Sequence, residues 1–205
     1  MDAKRRGFTL IEILVVVTII GVLAGLVVVL IPKSQAEATK LECMNNIRQM
    51  LGLIEVQSAT KYPRYGGPSL LLYLVKKQDL VGEKALEVLF CPGDVSNSYE
   101  LAGGDPDAFK NLDLDKKGEY GDLTSYAGRN QWDKACFAKK GQMESIVLIC
   151  DDSEDHHDEK GFVVGYNGGA AEFLDKVDNW DMEYETMVEV GENSSVDILK
   201  CLIAE

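Results

Sequence analysis

A long apolar run near the start of the chain contains a single charged residue, Glu12. As a helix, residues 8–31 would span about 36 Å, which is enough to cross the hydrocarbon core of a bilayer. Three basic residues at positions 4–6 precede the run and would hold the amino end in the cytoplasm. The sequence therefore predicts a single-pass membrane helix, with the remainder of the chain on the extracytoplasmic side.

The junction in front of this run differs from an ordinary export signal. A secretory signal has a shorter apolar core with its cleavage site behind it, whereas here the abrupt junction between Gly7 and Phe8 precedes the core. A cut at this junction would free an amine at Phe8, and the carboxylate of Glu12 needs such a partner in an apolar phase. The alternative, a plain anchor whose Glu12 extends to the membrane interface, leaves the junction unexplained.

The residues that carry a family resemblance are Gly7, Phe8, Thr9, Leu10, Ile11 and Glu12. Position by position they resemble the class III signal of type IV pilins and pseudopilins. The resemblance implies that a prepilin peptidase cuts after Gly7 and methylates the new amino terminus at Phe8, and that Glu12 neutralises the amine of an adjacent subunit. It also implies like and unlike pilin subunits as filament partners, an inner-membrane platform protein and a cytoplasmic assembly ATPase.

Small residues and a proline mark the helix that follows. Gly21 and Gly25 form a small-xxx-small pair that would let another helix approach closely in a filament. Such glycines are equally tolerated in any membrane helix.

Pro32 is expected to end or kink the run, and residues 34–37 read as a capping box that could restart the helix. The apolar residues between positions 36 and 59 then recur at three- and four-residue steps, which predicts an amphipathic helix.

These patterns divide the chain into four parts. Residues 1–7 are a predicted leader, 8–31 a transmembrane or filament-core helix, 32–61 its amphipathic continuation and 62–205 an extracytoplasmic globular domain. The fold class that fits is α+β, with the long helix packed on a small antiparallel sheet that has long loops.

The second half of the chain contains the predicted strands. Residues 146–150 are a short apolar run of buried-strand type. Residues 162–166 and 170–174 predict a hairpin, because the Asn-Gly-Gly between them is a strong turn signal. Residues 186–190 alternate as a further strand would, and the apolar tail after position 193 is expected to dock as a last strand or helix. Residues 97–122 show no periodicity and predict a long surface excursion.

The hairpin carries a second resemblance. His157 is followed by nine residues and then by Asn167 and Gly168. This spacing resembles a carboxyl-terminal signature of pseudopilin-like proteins, in which histidine and nine residues precede Asp-Gly. Asn167 stands in place of the usual Asp.

Adjacent histidines within the acidic run 151–159 invite a metal or catalytic interpretation. His156 and His157 are neighbours in sequence and cannot share one helix face, and no third ligand stands at a recognisable spacing. We therefore predict a solvated acidic loop, with no metal site and no catalytic residue. The Asp-rich run at 113–118 is a poor calcium loop, because Lys117 stands where an oxygen ligand is needed. Calcium binding is therefore left open only on the acidity of the chain.

The chain has five cysteines, in spacings that match no zinc signature. An extracytoplasmic location permits disulfides, and a bridge between Cys91 and Cys136 is the preferred pairing because both lie in loop-like surroundings. The alternative, that most of the cysteines are small buried hydrophobes, is equally acceptable.

Charge excludes one class of partner. The formal net charge is −13, and a chain this acidic lacks the clustered Lys and Arg that nucleic-acid binding requires.

The resemblance implies a non-enzymatic role as a structural pseudopilin in a periplasmic filament of type II secretion. The alternatives are a minor pilin of a type IV pilus, or a membrane-anchored protein at a filament tip that captures a secreted substrate, a glycan or calcium. An anchored enzyme that uses His156 or His157 ranks last, because no nucleophile elbow or phosphate loop accompanies them.

Overall fold

The computed structural model describes residues 8–58, 64–77, 82–96, 98–99, 102–114, 120–130, 136 and 146–204. The predicted leader 1–7, with Gly7, and residues 115–118 of the run at 113–118 therefore lie outside the described residues. The chain divides into two compact units, residues 1–38 and residues 39–205. Within the part of the chain that the structure describes, no helix combines the length and the apolarity required to span a bilayer.

The first helix, α1, runs from Leu10 to Ser58. It continues through Pro32, so the prediction that the helix ends there and restarts at a capping box is wrong. Proline removes only its own N–H from the hydrogen-bond ladder, and here that loss does not end the helix. The apolar residues of the first unit between positions 8 and 26 are exposed, from Phe8 at 84% to Leu26 at 57%.

The second unit contains a five-stranded antiparallel sheet, which confirms the predicted α+β class. Its strands are β1 (Tyr126–Arg129), β2 (Val147–Asp151), β3 (Gly161–Tyr166), β4 (Ala171–Asp175) and β5 (Leu202–Ile203), in the order β4-β3-β2-β1-β5. Among the described residues of this unit, four short helices accompany the sheet, namely α2 (Pro68–Lys77), α3 (Glu83–Leu86), α4 (Pro106–Lys110) and α5 (Lys176–Trp180). The hairpin predicted from the Asn-Gly-Gly turn is confirmed as β3 and β4.

Both faces of the sheet are covered. One face packs against the second part of α1 and against α2, in a core that includes Ile47, Leu71 and Val163. The other face packs against the carboxyl-terminal segment, in a core that includes Phe162 and Leu199. Neighbouring residues of β3 therefore point into different cores, and the strand reads as a continuous apolar run because neither face meets water.

Two predictions about irregular segments are wrong. Residues 186–190 do not form a strand, because the carbonyl of Thr186 accepts a hydrogen bond from the buried Nζ of Lys176 instead of a strand partner. The region 97–122 is not a surface excursion throughout, since Tyr99, Phe109 and Tyr120 are buried in the first core. The predicted docking of the tail is confirmed by β5 and the 3-10 turn Asp197–Leu199.

Candidate functional site

The carboxylate of Glu12 lies at the start of α1 and caps it. Its Oε2 accepts hydrogen bonds from the backbone N–H of Thr9 at 2.7 Å and from the Thr9 hydroxyl at 2.8 Å. The backbone N–H of Glu12 in turn donates to the Thr9 hydroxyl at 3.3 Å. This reciprocal arrangement is a capping box. An acid that the sequence leaves without a partner is therefore satisfied within its own chain.

The two glycines predicted to support helix packing lie on an open surface of α1. A Cβ added at Gly21 or at Gly25 would meet no atom within 4 Å in the described structure. The apolar side chains around them are about half exposed or more. These two positions of α1 therefore leave room for a close neighbour.

A cluster of four polar side chains, not anticipated as a group, lies inside the second unit. Cys43 comes from α1, Cys91 from the segment after α3, Asp151 from the end of β2, and His157 from the end of a 3-10 turn, Glu154–His157. One potential ligand atom from each lies within 4.8 Å of the others. All four residues are buried, at 0%, 2%, 0% and 3% exposure in that order. We call this group the buried Cys-Asp-His cluster.

Short contacts hold the cluster together. The Cys43 thiol donates to Asp151 Oδ1 at 3.0 Å, His157 Nε2 lies 3.2 Å from Asp151 Oδ2, and Cys91 Sγ lies 3.8 Å from His157 Nε2. Asp151 Oδ2 also accepts a hydrogen bond from the backbone N–H of Val163 at 2.6 Å. A strand end, a helix and a 3-10 turn are thus joined at one carboxylate.

The surroundings of the cluster fix its geometry. The ring of His157 meets Phe173 edge-on, with 5.7 Å between ring centroids. The hydroxyl of Tyr126 donates to Cys43 Sγ at 3.5 Å. Directly after His157, Asp158 and Glu159 both adopt left-handed φ angles of 56° and 60°. Two successive non-glycine residues in this conformation cost free energy, which the packing around His157 must offset.

A second group of polar side chains lies beside the first. His156 Nε2 is 3.3 Å from Asp94 Oδ2 and 3.4 Å from Asp152 Oδ1. Its Nδ1 is buried, finds no hydrogen-bond partner among the described residues and lies 3.9 Å from Asp151 Oδ1. The side chains of Asp94, Asp152 and His156 line a cleft of about 840 Å³ together with Ser153. His156 therefore contacts Asp94 and Asp152, whereas its neighbour His157 contacts Asp151.

The protonation of the cluster follows from burial and contact. Burial alone would raise the pKa of Asp151, but the imidazoles of His156 and His157 outweigh it and lower that pKa to about 2. A hydrogen bond from Cys43, with further help from the two histidines, lowers the pKa of Cys91 to about 5 against the effect of burial. Burial opposes the charged form of His157, yet Asp151 and Cys91 raise its pKa to about 9. The contacts within the cluster therefore favour the charged forms of Asp151, Cys91 and His157 and oppose the effect of burial.

Asp152, in the second group, behaves differently. Burial raises its pKa to about 7, because His156 only partly offsets the loss of solvation and the repulsion by Asp94 and Asp151. The pKa of His156 is about 11, since its acid neighbours outweigh the desolvation that would lower it. In the second group, burial and the neighbouring acids therefore favour the protonated form of Asp152, while the charged form of His156 is favoured.

The prediction of a solvated acidic loop at 151–159 is wrong for Asp151 and for both histidines, although Asp155, Asp158 and Glu159 are exposed. Asp151 and both histidines are buried, because the 3-10 turn folds back over the end of β2. Both histidine rings approach Asp151, and His156 also meets Asp94 from another segment of the chain. Cys43 and Cys91 were missed as partners because they lie far away in sequence. The one local signal was the Cys-Pro-Gly step at 91–93, where Gly93 lets the carbonyl of His156 approach the backbone.

The predicted bridge between Cys91 and Cys136 is also wrong. Cys136 forms a disulfide with Cys201, and Cys91 is a free thiol, as are Cys43 and Cys150. Cys201 lies beside β5, which pairs with β1 and brings the tail close to the segment that follows β1. Cys91 instead faces the cluster, on the opposite side of the sheet from the second core.

Comparison with known proteins gives one match. The family model of the prokaryotic N-terminal methylation motif matches residues 2–28. No curated protein and no solved structure matches the chain. The match includes Phe8 and Glu12 and so contains the capping box at the start of α1. It supports a type IV pilin-like or pseudopilin precursor.

Proposed function

We propose that the chain is a structural pseudopilin whose leader, residues 1–7, is removed after Gly7 and whose new amino terminus, Phe8, is methylated. The mature subunit then assembles through its amino-terminal helix into a short periplasmic filament of a type II secretion-like system. The observation that carries the proposal is the methylation-motif match at residues 2–28, in which the junction between Gly7 and Phe8 and the acid at Glu12 both stand.

The exposed surface of α1 supports assembly through this helix. Its apolar side chains between positions 8 and 26 are open to solvent in the isolated chain, and a continuous apolar surface of this kind is covered in a working protein. Lipid would cover it before assembly, and neighbouring helices would cover it in the filament. Gly21 and Gly25 provide the open positions where those helices approach.

The capping box gives Glu12 a role in the exchange between these two states. In the single chain, Thr9 satisfies the carboxylate. In the filament, the methylated amine of an adjacent subunit supplies a full positive charge at the same place, and a charged partner is stronger than a hydroxyl in an apolar phase. The acid thereby sets the axial register between subunits.

The chemistry of assembly belongs to partners. A prepilin peptidase would cut and methylate, and a platform protein and a cytoplasmic ATPase would drive insertion. The large acidic unit, residues 39–205, would lie outside the inner membrane. A minor pilin of a type IV pilus, or a filament-tip protein that binds a secreted ligand, would share these steps and differ in what the outer unit contacts.

The test replaces Glu12 by leucine in cells that assemble the filament. We expect Glu12→Leu to be cut at Gly7 and retained in the membrane, while its incorporation into sheared filaments falls at least about tenfold, as the loss of one charge pair implies. Glu42→Leu is the matched control, because Glu42 is an exposed acid of α1 outside the methylation motif. Normal incorporation of Glu12→Leu would contradict the proposed assembly role.

A further inference from the structure

The buried Cys-Asp-His cluster brings together four side chains that are far apart in the chain. Cys43, Cys91, Asp151 and His157 lie on four separate segments, and the fold alone unites them. Free cysteines that merely fill a core are normally surrounded by apolar atoms. Cys150 packs in the second core and donates to a backbone carbonyl, whereas the Cys43 thiol contacts the Asp151 carboxylate and the Cys91 thiol contacts the His157 imidazole.

The chemistry of these groups selects one kind of ligand. Thiolate and imidazole together are typical of zinc, and a carboxylate oxygen completes a mixed set of four. Magnesium and calcium prefer oxygen ligands alone. Four buried protein ligands leave no open position for water or substrate, which is the arrangement of a structural and not a catalytic zinc site.

The spacing of the ligand atoms agrees with a tetrahedral site. Zinc bonds of about 2.0–2.3 Å place neighbouring ligand atoms about 3.3–3.8 Å apart. Here His157 Nε2 lies 3.8 Å from Cys91 Sγ and 3.2 Å from Asp151 Oδ2, while Cys43 Sγ lies 3.0 Å from Oδ1, the other oxygen of the same carboxylate. All four ligand atoms fall within 4.8 Å of one another. Small side-chain adjustments would close the set around one ion.

We propose that Cys43, Cys91, Asp151 and His157 bind one structural zinc ion, which ties α1 to the sheet. The ligands come from α1, from the segment before Pro92, from β2 and from the turn that leads into β3. A metal held by such distant segments contributes directly to folding, because the unfolded chain has no comparable site. The site is independent of leader processing and of assembly, so its failure leaves the proposed function untouched.

The oxidation state of the cysteines offers the main competing arrangement. Cys136 and Cys201 form a disulfide in the same unit, while Cys43 and Cys91 are thiols. Their sulfur atoms lie within 4.8 Å of each other, so an oxidising compartment could join them. A bound zinc ion would hold both sulfurs as thiolates and prevent that bridge.

The experiment measures metal in the full chain, purified from membranes in detergent without chelators. Elemental mass spectrometry is expected to find about one zinc ion per chain in the unmodified protein. Cys91→Ser and His157→Ala should each weaken zinc binding by more than about 100-fold, since even outer-shell partners of a metal are worth 10–100-fold. Cys150→Ser is the matched control, because the Cys150 thiol is free and donates to the backbone carbonyl of Asp151 and not to its carboxylate. A serine hydroxyl can make the same hydrogen bond, so this variant should keep its zinc.

A second measurement holds even if a ligand variant fails to fold. The unmodified chain is stripped with a chelator and loaded with Co²⁺, whose absorption reports thiolate bonding. We expect thiolate-to-cobalt charge-transfer bands together with the intense visible bands of a tetrahedral ion. Unmodified chain that binds neither zinc nor cobalt, cobalt bound without thiolate bands, or a Cys43–Cys91 disulfide in freshly isolated protein would each overturn the proposal.

Discussion

At the residue scale, Glu12 is satisfied before any partner arrives. Thr9 supplies it with two hydrogen bonds at the first turn of α1, where the helix dipole also favours a negative charge. An unpaired acid in an apolar phase would cost on the order of 2–3 kcal/mol. The capping box therefore makes the acid tolerable in the single chain, while a neighbouring amine remains the better partner.

Near the cluster, Gly93 is the position at which we expect an added methyl group to lower the stability of the fold most. A Cβ at this position would overlap the backbone carbonyl oxygen of His156, and backbone atoms cannot move aside as a flexible side chain can. We expect Gly93→Ala to destabilise the second unit by about 1–3 kcal/mol, measured as a lower thermal midpoint of the detergent-purified chain.

Gly82→Ala is the control for this change. A Cβ at Gly82 meets no atom within 4 Å in the described structure, so the expected change stays within about 0.5 kcal/mol. Equal midpoints for Gly93→Ala and the unmodified chain would show that the turn carrying His156 does not approach residue 93 so closely.

At the element scale, α1 rests on the sheet at a point where β3 has no side chain. A Cβ at Gly165 would overlap Ile47 and would come within 3.0 Å of Leu51, both on α1. Polar contacts flank this point, since Arg48 donates to the carbonyl of Ala171 at 3.0 Å and Lys40 lies 4.2 Å above the ring of Phe173. The helix is thereby fixed against both strands of the hairpin.

Gly165→Ala should therefore push α1 away from β3. We expect a loss of about 1–3 kcal/mol, seen as a lower thermal midpoint and as faster hydrogen exchange in β3. Gly52→Ala, on an open part of the same helix, should instead stabilise by up to about 1 kcal/mol, because alanine is the better helix former. A result in which both variants shift the midpoint in the same direction would argue against this packing.

Local sequence signals predicted the elements and missed the contacts between them. The period of α1, the Asn-Gly-Gly turn and the apolar run of β2 depend on neighbouring residues, and the sequence was sufficient for them. Residues 186–190 alternate like a strand, but Lys176 takes the carbonyl that a strand would use. That hydrogen bond joins residues ten positions apart through a buried side chain, and the local sequence pattern does not predict it.

The same limit explains the candidate site. The methylation motif is contiguous, so its resemblance to a known signal could be recognised from neighbouring residues without the fold. The buried Cys-Asp-His cluster combines positions 43, 91, 151 and 157, and only the closure of the sheet against α1 brings them together. A histidine pair in an acidic run predicts a solvated loop from sequence, because the two cysteines that lie beside it in the fold are distant in the chain.

At the scale of the whole molecule, long-range links hold the second unit together. The disulfide between Cys136 and Cys201 joins residues 65 positions apart, and closing a loop of that length restricts the unfolded chain. Cys136→Ser with Cys201→Ser should lower the free energy of unfolding by about 2–5 kcal/mol. Thermal unfolding of the detergent-purified double variant checks this, and an unchanged midpoint would mean that the bridge contributes nothing to stability.

The central claim is that the chain is a pilin-like precursor, and the intact mass of the mature protein tests it most directly. Protein isolated from membranes of cells that contain a prepilin peptidase is measured by top-down mass spectrometry. The account predicts an amino terminus at Phe8 that carries one added methyl group. An intact Met1, or a cut beyond residue 31, would contradict it.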